Sequence, residues 1–226
     1  MIADLHTIQG QLLYEVAYSD TYRFRSLLPI QPDVVYDIGA CLGECTLWAG
    51  LIFPTAKIIA VEPDDNNAQF LTYFFREIPR VTVIKVALGI GSQLATEPRS
   101  APHRIFRNAA HRVRSPQIDF QKHPVRAMSL AELYEQHGGN CYVIKLDCEG
   151  AEGYIFDDPD SLTVACGAAF IGLEVHWNMD CGEPGYRERL LGLHDALLRS
   201  HDMIDRRGDP NTSEIIVYRN KKIARC

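Results

Sequence analysis

The sequence lacks the features that mark membrane, secreted and repetitive proteins. No apolar run approaches the ~20 residues that a transmembrane helix needs. Residues 1–10 show neither the basic start nor the apolar core of a secretion signal. With 46% hydrophobic and 23% charged residues, the composition is globular and excludes gross disorder, collagen and coiled coil. We therefore expect a cytoplasmic globular protein that does not cross a membrane.

Cysteine pairs with the spacing of metal or redox motifs are also absent. The seven cysteines are scattered, and no two of them form a Cys-x-x-Cys pair. Zinc ligands usually come in short paired spacings, and a disulfide framework usually has an even number of cysteines. The cysteines are therefore predicted to be reduced thiols without a zinc site.

Positive charge is in deficit overall but concentrated in one segment. The chain has 29 Asp and Glu against 23 Lys and Arg, and an acidic protein is a poor default binder of nucleic acid. Residues 89–126 are the exception, with ten Lys, Arg or His and only two acids. We interpret this segment as a basic insertion or lid whose arginines suit an acidic ligand. Its two aromatic residues, Phe106 and Phe120, are too few for base stacking, so RNA is not expected as a partner.

Short β-branched runs alternate with helical patterns along most of the chain. The continuous apolar runs, typical of strands buried on both faces of a parallel sheet, cover residues 34–38, 58–61, 81–86, 142–146 and 169–175. The helical patterns between them cover residues 44–52, 66–76, 130–137 and 187–200. This alternation predicts an α/β fold of three layers.

The two ends of the chain extend this core. A last apolar run at residues 214–218 follows a turn-rich segment at 207–211, which predicts a hairpin and an antiparallel final strand. Residues 1–32 are predicted to form one or two amphipathic helices ahead of the first strand. A chain of 226 residues therefore fits one domain at residues 33–226, preceded by a helical cap.

A turn with two glycines, Asp37-Ile38-Gly39-Ala40-Cys41-Leu42-Gly43, follows the first strand and opens a helix. Glycine lets the backbone pass close to a ligand, and a helix start offers free N–H groups. The turn does not match the Gly-x-Gly-x-x-Gly pattern of dinucleotide sites. Asp37 would repel a pyrophosphate but attract an ammonium or sulfonium group, and S-adenosylmethionine (SAM) carries both groups and no phosphate. Glu62 ends the second strand, where an acid can bind ribose hydroxyls in NAD and SAM sites.

Two other classes of protein share parts of this pattern. A nicotinamide-dependent oxidoreductase has a similar fold, although the missing glycine pattern and the charge of Asp37 argue against it. A non-catalytic module would bind SAM without transferring its methyl group. Binding of NAD identifies the first class, and binding of SAM without transfer identifies the second.

Acidic side chains gather where two later strands end. Asp147, Glu149 and Glu152 follow one predicted strand, and Glu174 and His176 end the next. Ligands of open α/β sheets bind outside this edge, so Asp147 is predicted to orient or deprotonate an acceptor hydroxyl, or to hold the methionine amine. Alternation along the strand puts Glu174 and His176 on one face, where the histidine can act as a general base. Glu149 and Glu152 are also placed to stabilise the next helix at its N-terminus.

Asp147, Glu174 and His176 also raise the question of a divalent metal. Oxygen-rich sites suit Mg²⁺. The spacing of residues on separate strands does not give ligand geometry, so the sequence assigns no metal ligands and leaves Mg²⁺ as an alternative.

Five segments, in order, resemble the FkbM family of class I SAM-dependent methyltransferases. They are residues 35–43, Val61-Glu62-Pro63, Val86-Ala87-Leu88-Gly89, residues 144–152 and Leu173-Glu174-Val175-His176. The fourth is the most specific, because residues 145–152 match the K-x-D-x-E-G-x-E pattern typical of that family. The resemblance covers roughly residues 33–176, which is most of the chain.

The resemblance implies a seven-stranded sheet with an antiparallel last strand, SAM as the methyl donor, and a hydroxyl of a small molecule or glycan as acceptor. It places the methionine half of SAM on the turn, the ribose on Glu62 and the adenine near Ala87 and Leu88. Cys41 departs from the family, which often has asparagine there. The predicted cofactor-binding residues are Asp37, Gly39, Ala40, Cys41, Gly43, Glu62, Ala87, Leu88 and Asp147, and the predicted catalytic residues are His176, Asp147 and Glu174.

Overall fold

The computed structural model describes residues 14–89, 126–177 and 185–223. Its strands are β1 (Val34–Ile38), β2 (Lys57–Val61), β3 (Val81–Ile84), β4 (Ala87–Leu88), β5 (Ala127–Met128), β6 (Tyr142–Leu146), β7 (Phe170–His176), β8 (His201–Gly208) and β9 (Ser213–Asn220). Its α-helices are α1 (Glu44–Ile52), α2 (Asp65–Phe74), α3 (Leu130–His137), α4 (Glu152–Ile155), α5 (Pro159–Gly167) and α6 (Tyr186–Ser200). Two further helical segments, Tyr14–Tyr18 and Phe24–Leu27, precede β1.

Seven strands form one sheet in the order β3-β2-β1-β6-β7-β9-β8. The first five run parallel to their neighbours, and β9 runs antiparallel to both β7 and β8. The predicted α/β fold with an antiparallel final strand is therefore confirmed. Because β1, β2, β6 and β7 are parallel, their carboxyl ends lie along one edge, which is where a doubly wound sheet binds its ligands.

Every residue of β1, β6 and β7 is buried, as the continuous apolar runs predict. One face of the sheet packs against α3, α5 and α6 through side chains such as Leu133, Ala165 and Leu193. The other face packs against α1 and the segment before β1, which contributes Phe24 and Leu27. Helical layers on both faces give the three-layer arrangement expected from the sequence.

The segment 14–32 lies in the N-terminal part that the sequence interprets as a helical cap. It contains the two short helical segments, and Phe24 and Leu27 are fully buried against the sheet. Residues 1–13 of the predicted cap lie outside the described residues. The described part of the segment therefore belongs to the hydrophobic core rather than to a separate surface layer.

Strands β4 and β5 join the two ends of the predicted basic insertion. Ala87 pairs with Ala127 and Leu88 pairs with Met128 in a parallel ladder. The chain therefore leaves and re-enters the fold at adjacent positions, while residues 90–125 lie outside the described part. The strand predicted at residues 81–86 is shorter in the structure, since β3 ends at Ile84. β4 begins at Ala87, after the end of the predicted run.

Two further findings concern membrane-spanning helices and disulfide bonds among the described residues. No helix within the described ranges is both long enough and apolar enough to cross a bilayer. Cys41, Cys45, Cys148 and Cys166 are thiols that form no disulfide.

Candidate functional site

The turn after β1 is shaped by two glycines in left-handed conformations. Gly39 has φ +76°, and a Cβ atom there would lie 1.8 Å from the carbonyl oxygen of Asp147. Gly43, which precedes α1, has φ +88°, and a Cβ atom there would lie 2.7 Å from side-chain atoms of Leu71 and Phe75. No other residue fits at either position without displacement. The glycines thus let the turn pack directly against the end of β6.

Glu62 at the end of β2 ties this turn to the sheet. The N–H of Cys41 donates to one carboxylate oxygen at 2.8 Å, and the N–H of Asp64 donates to the other at 2.9 Å. The N–H groups of Gly39 and Ala40 both donate to the carbonyl of Val61. Burial raises the pKa of Glu62 to about 7, against the opposing effect of the two backbone N–H groups. The predicted ribose-binding carboxylate and the predicted turn are therefore in direct contact.

Cys41 occupies an unfavourable backbone conformation within the turn. Its φ is +50°, in the left-handed region that residues other than glycine and asparagine seldom adopt. Burial, with Glu44 and Glu62 nearby, raises the pKa of its thiol to about 12. The thiol is therefore neutral at physiological pH, which makes it a weak nucleophile.

Lys145 in β6 is a further residue of the site. It belongs to the K-x-D-x-E-G-x-E pattern, but the sequence predicted no role for its side chain. Its ammonium lies 3.2 Å from a carboxylate oxygen of Asp37 and donates to the carbonyl of Gly39 at 2.8 Å. The other oxygen of Asp37 accepts from the hydroxyl of Thr46 at 2.5 Å. Burial alone would lower the pKa of Lys145, but Asp37 and Asp147 outweigh it and raise the pKa well above its ordinary value. Lys145 therefore stays charged inside the protein.

The position of Asp37 follows from this pairing. Its carboxylate is fully buried and contacts Lys145 and Thr46. Lys145 in turn donates to the carbonyl of Gly39 in the turn. The charge that Asp37 would present to a ligand is largely offset by the ammonium. Its predicted contact with the methionine half of a cofactor remains a prediction.

Asp147 lies at the tip of β6, between the turn and β7. One of its carboxylate oxygens accepts a long hydrogen bond of 3.4 Å from the hydroxyl of Tyr22 and lies 3.9 Å from Lys145. Tyr22 reaches the site because Gly172 in β7 leaves room for its ring, which lies 2.8 Å from where a Cβ of Gly172 would be. The Asp147 side chain is 23% exposed. The partly exposed carboxylate of Asp147 therefore lies beside the glycine turn.

Glu152, at the start of α4, is fully buried and holds two elements together. Its carboxylate accepts from the N–H groups of Cys148 and Gly150 at 2.7 and 2.9 Å. It also lies 3.2 Å from Nδ1 of His176. Since a carboxylate only accepts, Nδ1 must carry the proton in this bond. Glu152 thus stabilises the loop before α4 and fixes the orientation of His176. Its predicted contribution to the start of the helix remains a prediction.

Three further carboxylates surround the other ring nitrogen of His176. Nε2 lies 3.5 Å from Glu174, 3.5 Å from Glu149 and 3.9 Å from Asp147. The contact with Glu174 confirms that alternation along β7 places both side chains on one face. The structure thus brings Asp147, Glu174 and His176 together and adds Glu149, which the sequence had placed near the helix start.

The charge state of His176 follows from these neighbours. Burial lowers its pKa, but the hydrogen bond to Glu152 and the charges of Glu152, Asp147 and Glu149 outweigh this effect and raise the pKa to about 9. In the described structure the imidazole is therefore a cation at neutral pH. A cation cannot take up a proton, so a role as general base requires that its surroundings change.

Ala87 and Leu88, predicted to lie near an adenine, form β4 and are buried. Trp177 follows His176, and its indole N–H donates to Glu214 at 2.7 Å. The residues that follow Trp177, 178–184, lie outside the described part of the chain. The site formed by the described residues therefore extends along the carboxyl ends of the strands, from Glu62 after β2 to Glu174 in β7.

Comparison with solved structures identifies proteins with a similar fold. The N-terminal domain of EvdMO1, solved with SAH bound, is 13% identical with a TM-score of 0.50, and the match covers 95% of this chain and 85% of that one. A structure of EvdMO1 itself is 14% identical with a TM-score of 0.48, and the match covers 92% of this chain but 41% of that one. The precorrin-6y C5,15-methyltransferase from Geobacter metallireducens is 14% identical with a TM-score of 0.44, and the match covers 90% of this chain and 88% of that one.

The chain thus spans less than half the length of EvdMO1, and at these identities the similarity concerns the fold. No curated protein sequence matches the chain. The family model described as the methyltransferase FkbM domain matches residues 37–204, which include the glycine turn, Glu62, the K-x-D-x-E-G-x-E segment and both β7 residues of the site. The chain therefore belongs to the FkbM methyltransferase family.

Proposed function

We propose that the protein transfers a methyl group from SAM to a hydroxyl oxygen of a small molecule or a sugar-containing metabolite. The observation that carries this proposal is the contact between two parts of the strand edge. At Gly39 the glycine turn touches the backbone of Asp147, so a ligand on the turn lies next to the Asp147 carboxylate. Membership of a methyltransferase family supports methyl transfer, and the fold is shared with a domain that was solved with SAH, the demethylated product of SAM.

The residues of the turn fit the chemistry of SAM. A carboxylate offers about four lone-pair sites; two of those of Glu62 accept from backbone N–H groups and a third from the side chain of Asn67, which leaves about one for a ribose hydroxyl. The only cation within this part of the described edge, Lys145, is paired with Asp37 and buried, so no positive group opposes a sulfonium. When bound, SAM supplies an electrophilic methyl group.

The protein contributes position and proton removal. The turn and Asp147 hold donor and acceptor side by side, and such alignment is the main catalytic effect available to a displacement reaction. A neutral hydroxyl is a poor nucleophile, so a base must receive its proton. Asp147 is a partly exposed carboxylate whose backbone contacts the turn at Gly39, and we assign it this role. His176, held as a cation between Glu152 and Glu174, orients the surrounding carboxylates.

The basic segment gives a preference among acceptors. It begins at β4 and returns at β5, which pairs with β4. β4 follows shortly after β3, whose Ile84 carbonyl accepts from the N–H of Glu62. Arginine binds phosphate and carboxylate groups through paired hydrogen bonds. We therefore infer that acceptors with a phosphate or carboxylate group are preferred over neutral ones.

The test is calorimetric titration of the purified chain with SAH, with NAD as the comparison ligand. We expect SAH to bind and NAD not to bind, and Glu62→Ala to weaken SAH binding. Glu188→Ala, at an exposed position of α6, serves as the matched control. Hydroxylated acceptors, neutral and acidic, are then screened by release of SAH from SAM.

Each alternative outcome has a definite meaning. Binding of NAD without SAH would identify an oxidoreductase. SAH binding without transfer to any hydroxylated acceptor would identify a non-catalytic module. Transfer to a nitrogen or carbon acceptor would keep the methyltransferase and overturn the hydroxyl specificity.

A further inference from the structure

The cluster around His176 contains more negative charge than the proposed transfer uses. Its imidazole faces four carboxylates, one at Nδ1 and three at Nε2, within 3.9 Å. The ligand atoms of Asp147 and Glu149 lie within 4.8 Å of each other, and carboxylates that close repel one another where water is largely excluded. The described residues thus place several carboxylate oxygens around one imidazole nitrogen.

Two buried atoms in this cluster lack hydrogen-bond partners among the described residues. They are Oδ1 of Asp147 and Nε2 of His176. The His176 side chain is only 2% exposed, and its Nε2 points into the group of carboxylates. Burying a polar atom without a partner is energetically costly, so native proteins usually provide one. A ligand that accepts lone pairs from both atoms would meet this requirement.

The far side of the imidazole is arranged as it is in metal-binding histidines. Nδ1 donates to the buried carboxylate of Glu152, whose oxygens are held in turn by the N–H groups of Cys148 and Gly150. A histidine that binds a metal through one nitrogen almost always donates its other N–H to a carboxylate, a carbonyl or water. The Glu152 contact keeps the proton on Nδ1, so Nε2 is the nitrogen at which a metal would displace a proton and bind the lone pair.

The spacing of the ligand atoms suits one ion. Nε2 of His176 lies 3.5 Å from Glu149 Oε2 and 3.9 Å from Asp147 Oδ1, and the three atoms lie within 4.8 Å of one another. A cation centred among them would lie about 2.0–2.4 Å from each atom, which spans the usual lengths for bonds from divalent metals to oxygen and nitrogen.

We propose that Asp147, Glu149 and His176 bind one divalent cation, with Glu174 close enough to become a further ligand. Two or three carboxylates with one imidazole form an oxygen-rich set with a single nitrogen. Carboxylates suit Mg²⁺ and Mn²⁺, and imidazole suits the transition metals, so Mn²⁺ matches the whole set best. The spacing of His176 Nε2, Glu149 Oε2 and Asp147 Oδ1 supports the site whichever of these metals is bound.

A use for the cation rests on the proposed function. A divalent cation lowers the pKa of a bound hydroxyl by stabilising the oxyanion. Asp147 borders both the glycine turn and the proposed cation, so an acceptor oxygen bound to the cation would lie beside the methyl donor. With the cation in place of the Nε2 proton, activation of the hydroxyl would come from the bound cation rather than from His176 acting as a base.

The experiment titrates the chelator-treated full chain with MnCl₂ and follows the loss of the free Mn²⁺ signal by electron paramagnetic resonance. We expect one Mn²⁺ per chain, displaced by excess Mg²⁺. Glu149→Gln should weaken Mn²⁺ binding at least ~10-fold, since it replaces a charged ligand by a neutral amide. Glu188→Gln, on the exposed face of α6, should bind Mn²⁺ like the unchanged chain. Circular dichroism of each variant confirms that it is folded.

Two results would overturn the site. One is no binding of Mn²⁺, Mg²⁺ or Zn²⁺ at millimolar concentration by the folded chain. The other is binding that Glu149→Gln leaves unchanged in a folded variant. Calorimetry with SAH in the presence of chelator separates this inference from the proposed function. SAH binding without Mn²⁺ binding refutes the cation site alone, and Mn²⁺ binding without SAH binding refutes the assigned methyl donor alone.

Discussion

The two halves of the strand edge balance their charges differently. On the β1 and β2 side, Asp37 is paired with Lys145 and Thr46, and Glu62 accepts two backbone N–H groups. On the β6 and β7 side, four carboxylates lie within 3.9 Å of one histidine. The Asp37 side chain is fully buried, whereas those of Asp147 and Glu149 are 23% and 16% exposed. The first half thus contains a buried ion pair within the framework of the turn, and the second contains the side chains of the proposed cation site.

The difference also separates what a substitution should do in each half. In the balanced half, removing one partner leaves a buried charge alone, so stability should fall. In the other half, removing one carboxylate relieves repulsion, so ligand binding should fall while stability does not. Measurements of unfolding and of binding on the same variants therefore test the comparison directly.

The largest effect is expected for Lys145→Met. It removes the ammonium between Asp37 and the carbonyl of Gly39 while keeping a long side chain. Breaking a buried ion pair by deleting one partner costs about 3–5 kcal/mol, because the remaining charge loses its counter-charge. Urea unfolding followed by circular dichroism measures the loss.

The double variant Asp37→Asn with Lys145→Met tests the reason. When both charges are removed, most of the lost stability should return, as replacing a whole buried pair is often nearly neutral. Exposed Lys222→Met is a control of the same chemistry. If the double variant were as unstable as the single one, the interaction between Lys145 and Asp37 would not account for the loss.

The next largest effect is expected for Gly39→Ala. The added Cβ would meet the carbonyl oxygen of Asp147 at 1.8 Å, and the left-handed φ adds strain. We expect a loss of roughly 2–4 kcal/mol from overpacking and backbone strain together. Gly192→Ala in α6 is the control, since nothing lies within 4 Å of its Cβ position. That variant should be neutral or stabilising by up to ~1 kcal/mol. Equal unfolding free energies of the two variants would contradict the close packing of the turn against β6.

Much of the fold was predictable because of where its strands lie. Strands β1, β6 and β7 are buried on both faces, so each appears in the sequence as an unbroken apolar run. Strand β8 has no such run, because it is an edge strand in which only His201 is buried. Strands β4 and β5 contain two residues each and are too short to show a period.

The site was predictable only where position along a strand determines direction. Alternation along β7 correctly placed Glu174 beside His176. Glu149 lies beyond a strand end with φ +51°, and no periodicity gives the direction of a side chain in that conformation. Lys145 was missed as a site residue because a lysine inside an apolar run shows its burial but not its partner. Tyr22 reaches Asp147 across 125 positions of sequence, which no local pattern encodes.

A smaller effect, of opposite sign, is expected for Cys41→Asn. Its backbone at φ +50° suits asparagine better than cysteine, because the short polar side chain of asparagine tolerates the left-handed region. We expect thermal or urea unfolding to show a gain of about 1 kcal/mol. Cys41→Ser is the matched control, since it changes polarity at nearly constant size without that conformational preference. A loss of stability in Cys41→Asn beside an unchanged Cys41→Ser would show that packing, rather than backbone strain, dominates at this position.

The smallest effect concerns Glu214 in β9, a carboxylate at the outer end of the edge that has a cation of its own. Arg206 binds both of its oxygens, at 2.9 and 2.7 Å, and the indole of Trp177 donates to one of them. The hydrogen bonds from Arg206 lower the pKa of Glu214, although burial opposes them. Because the folded pKa lies below the unfolded one, this pairing stabilises the protein above the ordinary glutamate pKa. Its contribution is lost as the pH falls through the folded pKa.

Glu214→Gln should therefore destabilise the chain by about 0.5 kcal/mol at pH 7, a small value because Arg206 is partly exposed to water. The difference from the unchanged chain should shrink as the pH falls below the ordinary glutamate pKa of about 4.3, and it should close once the pH is below the lower folded pKa, where both forms are uncharged at position 214. Urea unfolding at pH 7 and at a series of values below pH 4 measures these differences, with exposed Glu188→Gln as the control. A difference that did not shrink across that series would mean that Glu214 acts by shape rather than by charge. The balance of charge that distinguishes the two halves of the edge would then not extend to its outer end.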